Sequence, residues 1–103
     1  MHYTFIVNPN ARSGLGYTVW SEIEAVLKAR NISYDVYFTK YQRHASQIAQ
    51  DIAADTERHT LIVLGGDGTV NEVINGIPDY EQITLGYIPI GSSNDFARYF
   101  HFP

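Results

Sequence analysis

Hydrophobic and polar positions in this chain switch repeatedly between an extended and a helical rhythm. Tyr3 to Val7 is a short, mostly apolar run of the kind that forms a buried strand, and the stretch Asn8 to Gly16 is rich in turn formers. Val19, Ile23, Val26 and Leu27 then recur at helical spacing, with Glu22, Glu24 and Lys28 elsewhere, until the pattern ends near Asn31. Tyr34, Val36 and Phe38 alternate with Asp35 and Tyr37, predicting a second strand. Ala45, Ile48, Ala49 and Ile52 form the apolar stripe of a second helix running to about Asp55. Thr60 to Leu64 is almost unbroken apolar sequence, which suits a strand covered on both faces. Val70, Val73, Ile74 and Ile77 predict a third helix, stopped near Gly76 and Pro78. Ile83 to Ile90 predicts a fourth strand, and another helical start follows at Phe96.

The order βαβαβαβ implies an α/β fold: a three-layer αβα arrangement with a mainly parallel sheet. Six of the eight glycines, Gly14, Gly16, Gly65, Gly66, Gly68 and Gly91, fall in the loops after the first, third and fourth strands. In a parallel sheet those loops share the carboxyl edge, where open α/β sheets bind ligands. The sharpest signal among them is Gly65-Gly66-Asp67-Gly68-Thr69, between an apolar strand and a helix. Glycines there let the backbone take positive φ and approach a ligand, and successive N–H groups then form an anion-binding nest. Thr69 and Glu72 have capping-box spacing, which would start the helix at Thr69 and aim its positive dipole end at the same point. Asp67, among these donors, is placed to meet a divalent cation carried by a nucleotide. The simpler alternative is a glycine turn with an Asp cap.

Composition narrows the field. At 103 residues the chain has the size of one small domain, and 45% hydrophobic content is ample for a core. A net charge of −4 without runs of either sign disfavours nucleic-acid binding. With no cysteine, disulfides and thiolate metal sites are excluded and an intracellular location is allowed. The N-terminus carries no signal peptide pattern, and no apolar run approaches the roughly 20 residues that span a bilayer. Trp20, Tyr34, Tyr37 and Tyr41 admit either a lipid-facing surface or ordinary packing. The final run Tyr99-Phe100-His101-Phe102-Pro103 reads as the apolar edge of a truncated domain, for which self-association into a homo-oligomer is expected.

Familiar phosphate motifs are missing. There is no Gly-x-x-x-x-Gly-Lys-Ser/Thr, and Gly14-Leu15-Gly16 lacks the third small residue of a dinucleotide loop. Ser92 and Ser93 are not in a Gly-x-Ser-x-Gly elbow, and His2, His44, His59 and His101 lack metal-ligand spacing. What remains is a three-part constellation: Asn8 to Gly14, Gly65 to Thr69 with Asn71-Glu72, and Gly91-Ser92-Ser93-Asn94-Asp95-Phe96-Ala97-Arg98. With these motifs in this order, the chain resembles the catalytic domain of the diacylglycerol kinase family, close to the bacterial soluble lipid kinases and more distantly to sphingosine kinases. The resemblance covers essentially the whole chain, residues 1–103, as the N-terminal, ATP-binding part of that domain. NAD kinases share Gly-Gly-Asp-Gly; the Asn94-Asp95-Phe96-Ala97-Arg98 ending favours a lipid kinase. Where the family usually has Gly-Thr-x-Asn-Asp, this chain has Ser92, which keeps the hydroxyl.

The resemblance implies phosphoryl transfer from ATP with Mg²⁺ to a lipid hydroxyl at the membrane surface, in a cytoplasmic protein peripheral to the inner face. Gly65, Gly66, Gly68 and Thr69 would cradle the phosphates, and Asp67 would join the Mg²⁺ network through water. Asn8, Ser13 and Gly14 would close over the nucleotide, and Ser92, Asn94 and Asp95 would complete the floor. Arg12 and Arg98 are candidates for holding phosphate, with surface ion pairs as the alternative, and Asp95 also suits a helix cap. Family members run to about three times this length, and their second, β-rich domain supplies the general base, so no catalytic residue is expected in this chain. The rival readings are an NAD kinase and a non-catalytic nucleotide-binding module.

Overall fold

A computed structural model describes residues 2–55, 57–77 and 82–90. The elements run in the expected order: β1 (His2–Val7), α1 (Ala11–Ala29), β2 (Ser33–Phe38), α2 (His44–Ala53), β3 (His59–Gly65), α3 (Asp67–Gly76) and β4 (Ile83–Pro89). All four strands are parallel and lie in the order β2-β1-β3-β4. The helical start expected at Phe96 lies outside the described residues.

Strand alternation divides the core into two layers. Tyr3, Phe5, Val7 and Leu64 point to one face, where α1 packs with Val19, Trp20, Ile23 and Leu27. Ile6, Leu61 and Val63 point to the other, beneath Ala45, Ile48 and Ala49 of α2 and Val73 of α3. The sheet is therefore sandwiched between helices, which is why β1 and β3 read as continuous apolar runs. Trp20 is 2% exposed and packs against Phe5 with tilted rings whose centroids are 5.0 Å apart, so it belongs to the core and not to a lipid-facing surface.

Two apolar positions expected inside face outward. Val26 and Ile74 are each 38% exposed. At about 100° per residue, Val26 falls just outside the arc that Gly16, Val19, Trp20, Ile23 and Leu27 occupy on α1. The capping box also does not form. The N-cap of α3 is Gly66 and the helix already begins at Asp67, so Thr69 sits inside the first turn. Hydrogen bonds from the Thr69 and Val70 N–H groups to the Gly66 carbonyl, at 3.1 and 3.3 Å, close that turn three residues earlier than Thr69 capping would allow.

The strand order locates the site. From β1 the chain moves to one side through α1, and from β3 it moves to the other through α3, so the loops leaving these adjacent strands diverge on opposite faces of the sheet. The gap between them is a topological switch point, where the carboxyl ends of open α/β sheets receive ligands.

Candidate functional site

Asn8 leaves β1 at the switch point and is held from three directions. Its N–H donates to the Leu64 carbonyl at 2.9 Å, extending the β1–β3 ladder by one bond. Its Oδ1 accepts the Asn10 N–H at 3.2 Å, an Asx turn that steers the chain away from the sheet. Its Nδ2 donates to Thr69 Oγ1 at 3.4 Å, so the side chain bridges the loops after β1 and β3. Two of the three sequence motifs therefore meet through side chains.

Beyond Asn10 the chain makes a tight left-handed turn. Arg12, Ser13 and Gly14 have φ of 54°, 58° and 97° inside the first turn of α1. The irregular loop expected across Asn8 to Gly16 is thus shorter, with helical hydrogen bonding from Ala11 interrupted by this turn. Left-handed geometry at two non-glycine residues stores strain of about 1 kcal/mol or more each, and such strain gathers at binding sites. Arg12 and Ser13 are exposed beside the cleft and do not line it.

The loop after β3 behaves differently from expectation. Gly14 is the only described glycine with positive φ; Gly66 has φ −90° and ψ −174°, ordinary extended backbone. Close approach explains Gly65 instead, because a Cβ there would come within 2.7 Å of Thr69 Oγ1. No side chain caps α3, and the first N–H groups of a helix have no intrahelical acceptor. The start of α3 therefore presents donors and a positive dipole end without a protein acceptor from a capping side chain, the arrangement that holds phosphate.

Asp67 is exposed in this first turn. The Tyr87 hydroxyl of β4 is 3.3 Å from Asp67 Oδ1 and 3.3 Å from the Gly65 carbonyl, so it orients the carboxylate against the strand end. No cluster of three or more His, Asp or Glu residues suited to a metal ion exists among the described residues. Asp67, one exposed carboxylate, could hold a cation only together with further oxygen ligands from water or a bound phosphate.

A cleft of about 360 Å³ opens beside these groups. Asn8, Asn10, Gly68, Thr69 and Glu72 line one side, and Thr39, Lys40, Tyr41 and Gln42 of the β2–α2 loop line the other. The β2–α2 wall carries no glycine, the signal that marks the other loops at this edge in the sequence. The general rule that all loops after parallel strands share one edge would have included it. Glu72, expected to serve the capping box, faces the cleft instead. Ser92, Asn94, Asp95 and Arg98 lie outside the described residues, so the third motif has no position here.

Comparison with known proteins gives the same direction. Residues 2–103 match the family described as the diacylglycerol kinase catalytic domain. The chain is 40% identical over 101 residues to the Bacillus subtilis (strain 168) protein named "Putative lipid kinase YtlR", covering 96% of this chain and 33% of that one. It is 34% identical over 99 residues to a diacylglycerol kinase of Staphylococcus carnosus (strain TM300), covering 95% and 32%. A crystal structure of a diacylglycerol kinase from Bacillus anthracis str. Sterne superposes with a TM-score of 0.71 at 37% identity, over 94% of this chain and 33% of that one. The chain thus spans about a third of the length of these relatives. A switch-point cleft built on the Gly-Gly-Asp-Gly-Thr helix start, matched along nearly its whole length by this family, makes the chain a member of the diacylglycerol kinase catalytic-domain family.

Proposed function

We propose that the chain is the nucleotide-binding part of a lipid kinase that transfers the γ-phosphoryl group of ATP, with Mg²⁺, to a hydroxyl of diacylglycerol or a related lipid. The observation that carries this reading is the Asn8–Thr69 bridge at the switch point, which sets an uncapped helix N-terminus against a cleft of nucleotide dimensions. Phosphoryl transfer asks little covalent chemistry of a protein; it asks for positioning and for positive groups at the developing charge. The N–H groups at the start of α3, with the Thr69 hydroxyl, meet the phosphates. Asp67, oriented by Tyr87, accepts from the water shell of the cation. Mg²⁺, held through water by Asp67, would neutralise charge on the phosphates. The second, β-rich domain of the family would supply the general base and the lipid site.

Titration of Mg-ATP into the wild-type chain and Asp67→Asn tests the reading. The variant keeps size and loop geometry while removing the charge, so the expected outcome is an unchanged fold with Mg²⁺-dependent affinity lost. Equal affinities would remove Asp67 from the metal network. Turnover of NAD but not of diacylglycerol dispersed in detergent would replace the lipid-kinase reading with that of an NAD kinase.

A further inference from the structure

The β2–α2 loop holds an aromatic ring at the cleft with its geometry fixed in advance. Tyr41 is 63% exposed, yet its ring is stacked on the His44 imidazole with centroids 4.3 Å apart and planes 15° from parallel. The imidazole is itself anchored: His44 Nδ1 accepts the Lys40 N–H at 2.9 Å. The His44 N–H donates to the Tyr41 carbonyl at 3.1 Å, closing a turn, and the Thr39 N–H donates to the Val7 carbonyl at 2.9 Å, tying the loop to the end of β1. Arg43 takes the left-handed conformation, φ 70°, to make this turn directly before α2. One face of the Tyr41 ring is therefore covered by histidine, and the residue borders the same cleft as Gly68 and Thr69 at the start of α3.

A large aromatic ring kept exposed, stacked on one side and bordering a phosphate-directed cleft, has the properties of a stacking platform for a nucleobase. Aromatic stacking is tolerant of base identity and favours the larger π-face of a purine. The platform is preorganised, so little side-chain freedom remains to be lost on binding. We propose that Tyr41, backed by His44, stacks the base of the bound nucleotide against the β2–α2 loop while its phosphates lie at the start of α3. The inference rests on the nucleotide reading given above and adds to it the residue that recognises the base.

The test compares Mg-ATP with Mg-tripolyphosphate, which has the phosphates and no base, on the wild-type chain, Tyr41→Phe, Tyr41→Leu and Tyr41→Ala. Because Tyr41 lies outside both core clusters, all variants should retain the wild-type thermal midpoint. Wild type should bind Mg-ATP more tightly than Mg-tripolyphosphate. Tyr41→Ala and Tyr41→Leu should weaken Mg-ATP about tenfold, the size of one lost base stack, and leave Mg-tripolyphosphate unchanged. Tyr41→Phe should restore the Mg-ATP affinity, which a role for the hydroxyl would not allow. Wild-type ATP affinity in Tyr41→Ala would overturn the platform and leave the nucleotide site standing. Parallel weakening of both ligands would also overturn it, showing that Tyr41 shapes the loop. A wild-type chain that binds neither ligand would remove the platform together with the nucleotide reading.

Discussion

A methyl group on Gly16 would come within 2.1 Å of the Asn8 carbonyl oxygen, whereas one on Gly66 would meet no heavy atom within 4 Å. The two glycines look alike in the sequence, each within two residues of another glycine in a stretch after a strand, and only the packing separates them. Gly16 lets α1 pass close to the residue that bridges the two motifs. Gly16→Ala should destabilise the chain by about 2 kcal/mol, the cost of forcing a backbone shift in a packed region, and displace Asn8 with it. The sequence alone suggests a strained Gly66 with a stability cost of about 1 kcal/mol on substitution; extended backbone and open space there remove that ground. Gly66→Ala should instead keep its stability within about 0.5 kcal/mol of wild type and lose affinity for Mg-ATP, because the open space is where phosphate would lie. Urea unfolding and Mg-ATP titration of both variants check the pair. A Gly66→Ala chain that is as unstable as Gly16→Ala would contradict this division.

Each regular element was legible because one period dominates its sequence, and the errors cluster where side chains or connections decide. The stripe Val19, Ile23, Leu27 identified α1 and its buried face, but Trp20 and Val26 border that stripe on opposite sides, and only the fit against Phe5 and Tyr34 brings the indole inside. Asn31 marks the helix end for a physical reason: it takes φ 55° while the Ile32 N–H donates to the Leu27 carbonyl at 2.9 Å, a left-handed termination that asparagine tolerates. The connection from α2 to β3 holds a hydrogen-bonded side-chain pair that no periodicity encodes. His59 Nε2 lies 2.8 and 3.0 Å from the two Asp55 carboxylate oxygens, and the Glu57 N–H donates to Oδ1. The His59 bond first, and the Glu57 bond second, hold the Asp55 carboxyl below its ordinary pKa. A carboxyl depressed by folding adds stability above its unfolded pKa of about 3.9 and loses it as pH falls through the lower folded value. Asp55→Asn should therefore melt below wild type at neutral pH, and the gap should narrow as pH drops through and below the usual carboxylate range. A gap that stays constant down to strong acid would show that the carboxylate's charge is not what stabilises this connection.

At the scale of the molecule, the α/β class and parallel strands followed from element order, and the candidate site's edge was proposed from where the glycines fall. The strand order did not, because a βαβαβαβ chain can be wound outward from more than one strand and its loops do not record which neighbour each strand takes. The reversal between β1 and β3 is what turns two separate loops into one cleft. That reversal also leaves β2 and β4 as the sheet edges among the described residues, each with a row of backbone groups open on one side. On this basis the 103-residue chain should self-associate, which sedimentation would show as a concentration-dependent rise in mass. It should also bind Mg-ATP yet form no phosphatidic acid from diacylglycerol dispersed in detergent. Binding needs only the phosphate cradle and the cleft walls. Transfer needs in addition a group that takes the proton from the lipid hydroxyl within hydrogen-bond reach, and a surface that aligns that hydroxyl with the γ-phosphorus. Among the described residues the acid lining the cleft is Glu72, on the wall beside Thr69, and Asp67 at the start of α3 is the one the proposed reading assigns to the cation. Phosphatidic acid labelled from ATP by these 103 residues alone would show that the cleft already contains a complete catalytic site.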